Sequence, residues 1–289
     1  MTSFPIIDGL SAIADRYDAL LCDVWGVLHN GERAYPGVPE ALANFRAKGG
    51  RVLLLSNAPR PSDVLPAMFE GMGIPLDVYD GILTSGDATK AYLASHKHGT
   101  RCYLIGMERH LTLFEGTGVT RVEEDAAEFI LAASLFDADT EEPEDYRTQL
   151  EALAARKLPL VCANPDIVVE SGDRHIYCAG ALARLYEELG GNVVYFGKPH
   201  GPIYDIARAR LAEIAGGEIA DARILAVGDG MATDIKGAEA AGIDALFITG
   251  GIAAADCGDH PERPDADKIA ALMAAARLHP VAAAARLVW

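Results

Sequence analysis

The chain has 289 residues, 50% hydrophobic and 23% charged, enough apolar material for a sizeable core, which excludes a disordered tail, a collagen-like chain and a disulfide-stapled miniature. Its 25 basic and 42 acidic side chains leave a formal charge of −17, so binding to nucleic acid or an anionic membrane surface is not expected. A small anionic substrate stays open, because a local cation or bound metal inverts the potential inside a pocket.

Short apolar runs alternate along the chain with helical patterns, as in a parallel sheet with crossover helices. Residues 19–22 and 52–55 read as strands, with a helix over 38–48 between them. A second alternating set follows from about residue 86, with strands at 103–105, 129–132 and 160–162 and a helix over 146–156. The acidic stretch 137–145, with Pro143, reads as a solvated loop, and Ser171-Gly172-Asp173 as a turn between two strands. A helix over 202–213 carries Pro202 in its first turn, where the missing N–H costs nothing. Strand 224–227, helix 231–241 and strand 245–248 come next, and the Ala-rich segment 266–286 reads as one or two helices. Apolar residues at successive positions suit strands covered on both faces. Segment 86–177 lies between two groups of chemically suggestive residues rather than after them. It therefore reads as an α/β insertion into a discontinuous α/β core made of 1–85 and 178–289.

The five cysteines, Cys22, Cys102, Cys162, Cys178 and Cys257, are odd in number and form no C-x-x-C pair. Free thiols in a reducing compartment are the reading, without a zinc site. The N-terminal stretch lacks the pattern of a secretory signal, and no apolar run is long enough to span a bilayer, so a cytoplasmic location is the expectation.

Four segments follow predicted strands, where open parallel sheets place ligands. They are Cys22-Asp23-Val24-Trp25-Gly26, Leu55-Ser56-Asn57, Gly197-Lys198-Pro199 and Gly228-Asp229 running on to Asp234. Each alone has a plain reading as a cap or turn. Together, a hydroxyl, a lysine and several carboxylates at neighbouring strand ends suit phosphoryl transfer. Clustered carboxylates repel until a divalent cation sits among them, and oxygen-only ligands favour Mg2+ over zinc. One carboxylate is then free to attack phosphorus.

With these motifs in order, the chain resembles the haloacid dehalogenase-like hydrolases, in the NagD-like and p-nitrophenyl-phosphatase-like branch. The matching stretches are D-V-W-G-V-L, the His29-Asn30-Gly31 flap turn, L-S-N, Thr84-Ser85, Asn164-Pro165-Asp166, G-K-P and G-D-x-x-x-x-D. The resemblance implies a Rossmann-like parallel-sheet core with a large α/β cap at the insertion, and a magnesium-dependent phosphatase of a small phosphorylated metabolite. It makes Asp23 the nucleophile and Ser56 a donor to the phosphoryl group, with Lys198 stabilising charge on the phosphoaspartate. The metal ligands would be Asp23, the main-chain carbonyl of Trp25, Asp229 and Asp234. Asn57, Asn164 and Asp166 are candidate substrate contacts, and a cap-mediated homodimer is compatible with the branch.

Trp25 departs from the family pattern, which places a second aspartate there as general acid and base. An indole N–H does neither near neutral pH, a loss of roughly 10²–10⁴-fold in proton transfer. Esters whose leaving group departs unprotonated, aryl or acyl phosphates, should suffer least. His29 is a candidate substitute acid, against the plainer reading of a polar turn residue. Cys22 reads as a small buried residue, Asn30-Gly31 as a structural hairpin turn, Arg60 as a contact to an anionic substrate or, more plainly, a solvated side chain, and His200 as structural. Two other readings compete with the phosphatase. One is a weak or inactive relative that binds a phosphorylated ligand or a protein partner, a reading that Trp25 motivates. The other is C–halogen or C–P cleavage; Asp229 and Asp234 argue against the first of these, and the second calls for an activated lysine among Lys90, Lys97 and Lys157.

Overall fold

The apolar runs form strands buried on both faces. In a computed structural model that describes residues 4–171 and 174–289, Ala19–Cys22 is buried at all four positions. It pairs in parallel with Arg51–Ser56 on one side and Ile224–Gly228 on the other. Cys22 stands opposite Leu54 and Val227, so the residues that follow all three strands emerge at one edge of the sheet. The order across this sheet is Ala282–Ala284, Asp244–Ile248, Ile224–Gly228, Ala19–Cys22, Arg51–Ser56 and Gly81–Thr84.

The chain divides into two units. The first comprises residues up to 56 together with 65–83 and 204–289, and it contains this sheet. Helix Val38–Ala47 buries Val38, Ala41, Leu42 and Phe45, spaced to share one face. Those side chains join Leu20, Leu54, Phe69 and Leu225 in one core cluster. Each large side chain buried in this way contributes about 1.5–3 kcal/mol.

The second unit comprises 57–64 and 84–203. Its five-stranded sheet runs Asn192–Tyr195, Pro159–Cys162, Phe129–Ala132, Arg101–Ile105 and Thr120–Arg121, and each pairing is parallel. Helices Arg147–Ala155 and Ala179–Glu188 supply Leu150, Leu153, Leu182 and Tyr186 to its core. The strands Val168–Ser171 and Arg174–Tyr177 form an antiparallel pair. Gly172 and Asp173, expected as the turn of that pair, lie outside the described residues.

Two features differ from the sequence reading. The expected end of the insertion at residue 177 falls before strand Asn192–Tyr195, which pairs with Pro159–Cys162 and so extends the second unit to 203. The Ala-rich segment also changes character within its length. Ala266–Ala276 is helical, but Ala282–Ala284 is a fully buried strand paired with Leu246–Ile248. Alanine favours a helix in isolation, and the vacant sheet edge overrides that preference. All five cysteines are free and buried, and no helix among the described residues is long and apolar enough to cross a membrane.

Candidate active site

Three acidic side chains converge in the first unit. Asp23 directly follows strand Ala19–Cys22, and its N–H donates to the Val227 carbonyl at 2.8 Å. This bond extends the parallel ladder one residue past the strand. Asp229 follows Ile224–Gly228, and Asp234 lies in a π-helical turn over Met231–Ile235. There the N–H of Ile235 reaches the Gly230 carbonyl at 3.1 Å, the wider winding that recurs at functional sites. One oxygen from each of Asp23, Asp229 and Asp234 lies within 4.8 Å of the other two, and all three residues are buried.

The surrounding backbone fixes these carboxylates. Asp229 Oδ2 accepts the N–H of Ile252 at 2.7 Å, while Asp234 Oδ2 accepts from Gly230 N–H at 3.2 Å and Thr233 Oγ1 at 3.3 Å. Glycines allow the close approach: a Cβ on Gly26 would stand 2.1 Å from Asp229 Oδ2, and one on Gly251 would stand 1.9 Å from it. Gly26 also has φ +90°, a conformation costly for other residues. Three buried carboxylates brought together in this way need a compensating cation, and an all-oxygen donor set suits a hard divalent ion such as Mg2+. The sequence motifs locate all three aspartates. They do not reveal the contributions of Ile252 and Gly251, for which the Gly250-Gly251 pair after a strand was the available signal.

Ser56 ends strand Arg51–Ser56 in the first unit and is buried. The next residue, Asn57, begins a network within the second unit. Its Oδ1 accepts the Lys198 N–H at 2.7 Å, and its Nδ2 donates to the Lys198 carbonyl at 3.0 Å and to Asp166 Oδ1 at 2.8 Å. Asn164 Oδ1 accepts the Asp166 N–H at 3.1 Å. Asn57, Asn164 and Lys198 are all buried. The bonds of Asn57 hold the backbone at Lys198, and Asp166 joins them through Asn57 Nδ2. Gly197, at φ +122°, lets that backbone pass Ser85 Oγ and Asn57 Oδ1, which would stand 2.2 and 2.5 Å from a Cβ. Ser85 Oγ donates to the Phe196 carbonyl in the same turn, and Thr84 caps the helix Ser85–Ala94 through a reciprocal pair with Asp87.

His29 is 1% exposed. Its Nδ1 accepts the Gly31 N–H at 2.9 Å, which leaves the ring proton on Nε2, a buried atom without a hydrogen-bond partner among the described residues. Burial lowers its pKa to about 4, which disfavours the charged form that the sequence reading asks of a substitute acid. Asn30 behaves as the turn residue expected, its Oδ1 accepting from the N–H groups of Glu32 and Arg33 at 3.0 Å each. Cys22 is fully buried and donates to the Asp23 carbonyl at 3.2 Å.

In the second unit, Arg60 is half-buried rather than solvated. Burial first, and then the charge of Arg109, lower its pKa. His200 stacks flat on Tyr195, with ring centroids 4.4 Å apart, which agrees with a structural role. Lys90 is half-buried, and Lys97 and Lys157 are exposed, so none has the desolvated setting that favours an amine nucleophile.

A parallel-sheet unit in which three aspartates converge at or just beyond the strand ends is joined in the chain to a second α/β unit. The family model for haloacid dehalogenase-like hydrolases matches residues 20–120, and a second HAD-hydrolase-like model matches 195–275. A crystal structure of a haloacid dehalogenase-like hydrolase from Brucella suis 1330 is 44% identical, with a TM-score of 0.87 and coverage of 98% of this chain and 100% of that one. The ribonucleotide monophosphatase NagD of Escherichia coli K12 is 28% identical over 252 residues, covering 85% of this chain and 93% of its own. A glycerol phosphate phosphatase from Mycobacterium tuberculosis, crystallised with magnesium, is 25% identical with a TM-score of 0.64, covering 83% of this chain and 70% of that one. The chain belongs to the haloacid dehalogenase-like hydrolase family, in its NagD-like branch.

Proposed function

We propose that this phosphoric monoester hydrolase acts on small phosphorylated metabolites through an aspartyl-phosphate on Asp23. The observation that carries the reading is the convergence of Asp23, Asp229 and Asp234. With the main-chain carbonyl of Trp25, these residues would hold a divalent cation, Mg2+ by the hardness of the donor set. A cation held by these residues would supply the charge that neutralises the phosphoryl oxygens.

Asp23 attacks phosphorus and Ser56 donates a hydrogen bond to a phosphoryl oxygen. Lys198, held by Asn57 through its backbone, supplies the second positive charge. Water then hydrolyses the acyl phosphate and restores Asp23. The presence of Trp25 in place of a second carboxylate removes proton delivery to the leaving oxygen. Leaving groups that depart as stable anions should therefore be preferred. The names of the relatives, a nucleotide phosphatase and a glycerol phosphate phosphatase, favour a soluble small-molecule ester.

The test is phosphate release from p-nitrophenyl phosphate with Mg2+ and with a chelator. Rapid acid quenching should trap a phosphorylated chain in wild type and none in Asp23→Asn. Release that survives chelation and Asp23→Asn would refute the reading. Trp25 also motivates a second reading, a protein that binds a phosphorylated ligand with little turnover. Thermal stabilisation by phosphate esters without release of phosphate would support it.

A further inference from the structure

The residues around Trp25 are almost wholly buried: Asp23 is 7% exposed, Val24 4%, Val27 1%, Leu28 0% and His29 1%, whereas Trp25 is 38% exposed. The indole is nonetheless held in place. It meets the His29 ring edge to face, with centroids 5.4 Å apart and planes at 70°, and His29 is backed by the Phe69 ring at 5.9 Å. A Cβ on Gly31 would lie 2.8 Å from Trp25 Cη2 and 2.9 Å from Cζ2, so the flap turn is cut away to admit the six-membered ring.

The backbone of this loop is tied as well. The Gly26 N–H donates to the His29 carbonyl at 2.9 Å, and the Gly31 N–H bond to His29 Nδ1 fixes the imidazole that supports the indole. Gly26 is the residue whose Cβ position abuts Asp229 Oδ2. Trp25 directly precedes this residue in the chain, with consecutive Cα atoms about 3.8 Å apart.

From this juxtaposition we infer that Trp25 is a substrate contact, a rigid indole platform on which the planar aromatic leaving group of a phosphate monoester stacks. The inference rests on the phosphatase reading and adds the class of ester. An indole already immobilised by its supports loses little conformational freedom when a second ring covers it, and offset or edge-on aromatic pairs gain beyond the area they bury. An aromatic alcohol also suits a site without a general acid. As the bond from Asp23 to phosphorus forms, the bond from phosphorus to the aryl oxygen breaks with its electron pair on that oxygen. The aryloxide leaves and takes a proton from water. A second water then cleaves the acyl phosphate, releasing inorganic phosphate and returning Asp23 as a carboxylate.

The chain has two tryptophans, so Trp289→Phe leaves Trp25 as the sole indole fluorophore. With Mg2+ present, titration with benzylphosphonate, whose C–P bond is not hydrolysed, should change the Trp25 emission, whereas methylphosphonate at equal saturation should not. In the kinetic arm, Trp25→Leu should raise KM for phenyl phosphate about tenfold more than it raises KM for ethyl phosphate, the order expected of one aromatic pair. Trp25→Phe should restore most of the loss, and equal melting temperatures would show that the variants are folded. Equal changes in KM for both esters, or an emission indifferent to benzylphosphonate while it competes with p-nitrophenyl phosphate, would overturn the platform. Absence of turnover by wild type on every ester would instead overturn the phosphatase reading, and the emission titration would still decide the platform by binding alone.

Discussion

Replacing Gly251 with alanine tests whether close backbone contact sets the position of Asp229. The added Cβ would stand 1.9 Å from Asp229 Oδ2 and 2.5 Å from its Cγ. Ordinary van der Waals contact begins near 3.4 Å, so the carboxylate must retreat by about 1.5 Å. That movement breaks the 2.7 Å hydrogen bond from Ile252, a bond to a charged group worth about 1.5–3 kcal/mol. Melting should fall by several degrees, at roughly 2–4 °C per kcal/mol for a chain of this order of size. Mg2+ tolerates little distortion of its ligand shell, and a displacement of about 1 Å at a reacting centre costs on the order of 10²-fold. Gly251→Ala should therefore lower kcat for p-nitrophenyl phosphate about 10²-fold and raise the Mg2+ concentration needed for half activity. The control is Gly217→Ala, where a Cβ meets nothing within 4 Å. Wild-type rates and Mg2+ dependence in a folded Gly251→Ala protein would refute the account of how Asp229 is held.

Asn57→Leu removes the hydrogen bonds that Asn57 makes to the Lys198 N–H and carbonyl; we expect a loss of about 2–6 kcal/mol, read by urea unfolding, from two buried groups worth about 1–3 kcal/mol each. Phosphatase activity should fall in the same variant, with KM and kcat both affected, because Lys198 loses its backbone anchor. His110 is buried, and its pKa is lowered to about 4 by burial first and then by Arg109 and Arg60. Its folded pKa lies below the ordinary value near 6.5, so the stability it contributes is complete above pH 6.5 and is lost as pH falls through 4. The melting temperature should drop over that window, and less steeply in His110→Leu. His29→Phe keeps an aromatic ring next to Trp25, removes the acceptor of the half-buried Gly31 N–H and also removes the buried Nε2; the two effects offset, and thermal denaturation should report a net change within about 1 kcal/mol.

Much of the first unit was legible because its strands are buried on both faces. Runs such as 19–22 and 224–227 are apolar without alternation, and the chemically distinctive residue follows at the point where burial ends. Asp23 and Asp229 could be located for that reason, and Asp234 through its spacing from Asp229. The pairing Asn192–Tyr195 with Pro159–Cys162 had no such local mark, since Asn192-Val193-Val194-Tyr195 is short and half-polar. Ala282–Ala284 was equally opaque, because an alanine run fits either regular structure until a partner strand selects one. The hydrogen bonds of Asn57 to Lys198 join positions 141 apart in the chain. Composition and spacing cannot report such a contact, which is why Asn57 read as a substrate ligand or a turn cap.

Trp25 illustrates a different limit on sequence reading. The residue type alone states what the position lacks, a carboxyl group, and hence a poorer catalyst. The surroundings state what the position has gained: a glycine in the flap where a Cβ would strike the indole, a neutral imidazole against one face and an aromatic backing to that imidazole. The main-chain carbonyl proposed as a metal ligand does not itself call for a tryptophan, since any residue supplies one. Leaving 38% of a tryptophan in contact with water carries a solvation cost. An aromatic leaving group removes that cost when it binds, and its oxygen can depart without the missing proton. Substitution and supports thus converge on one class of ester.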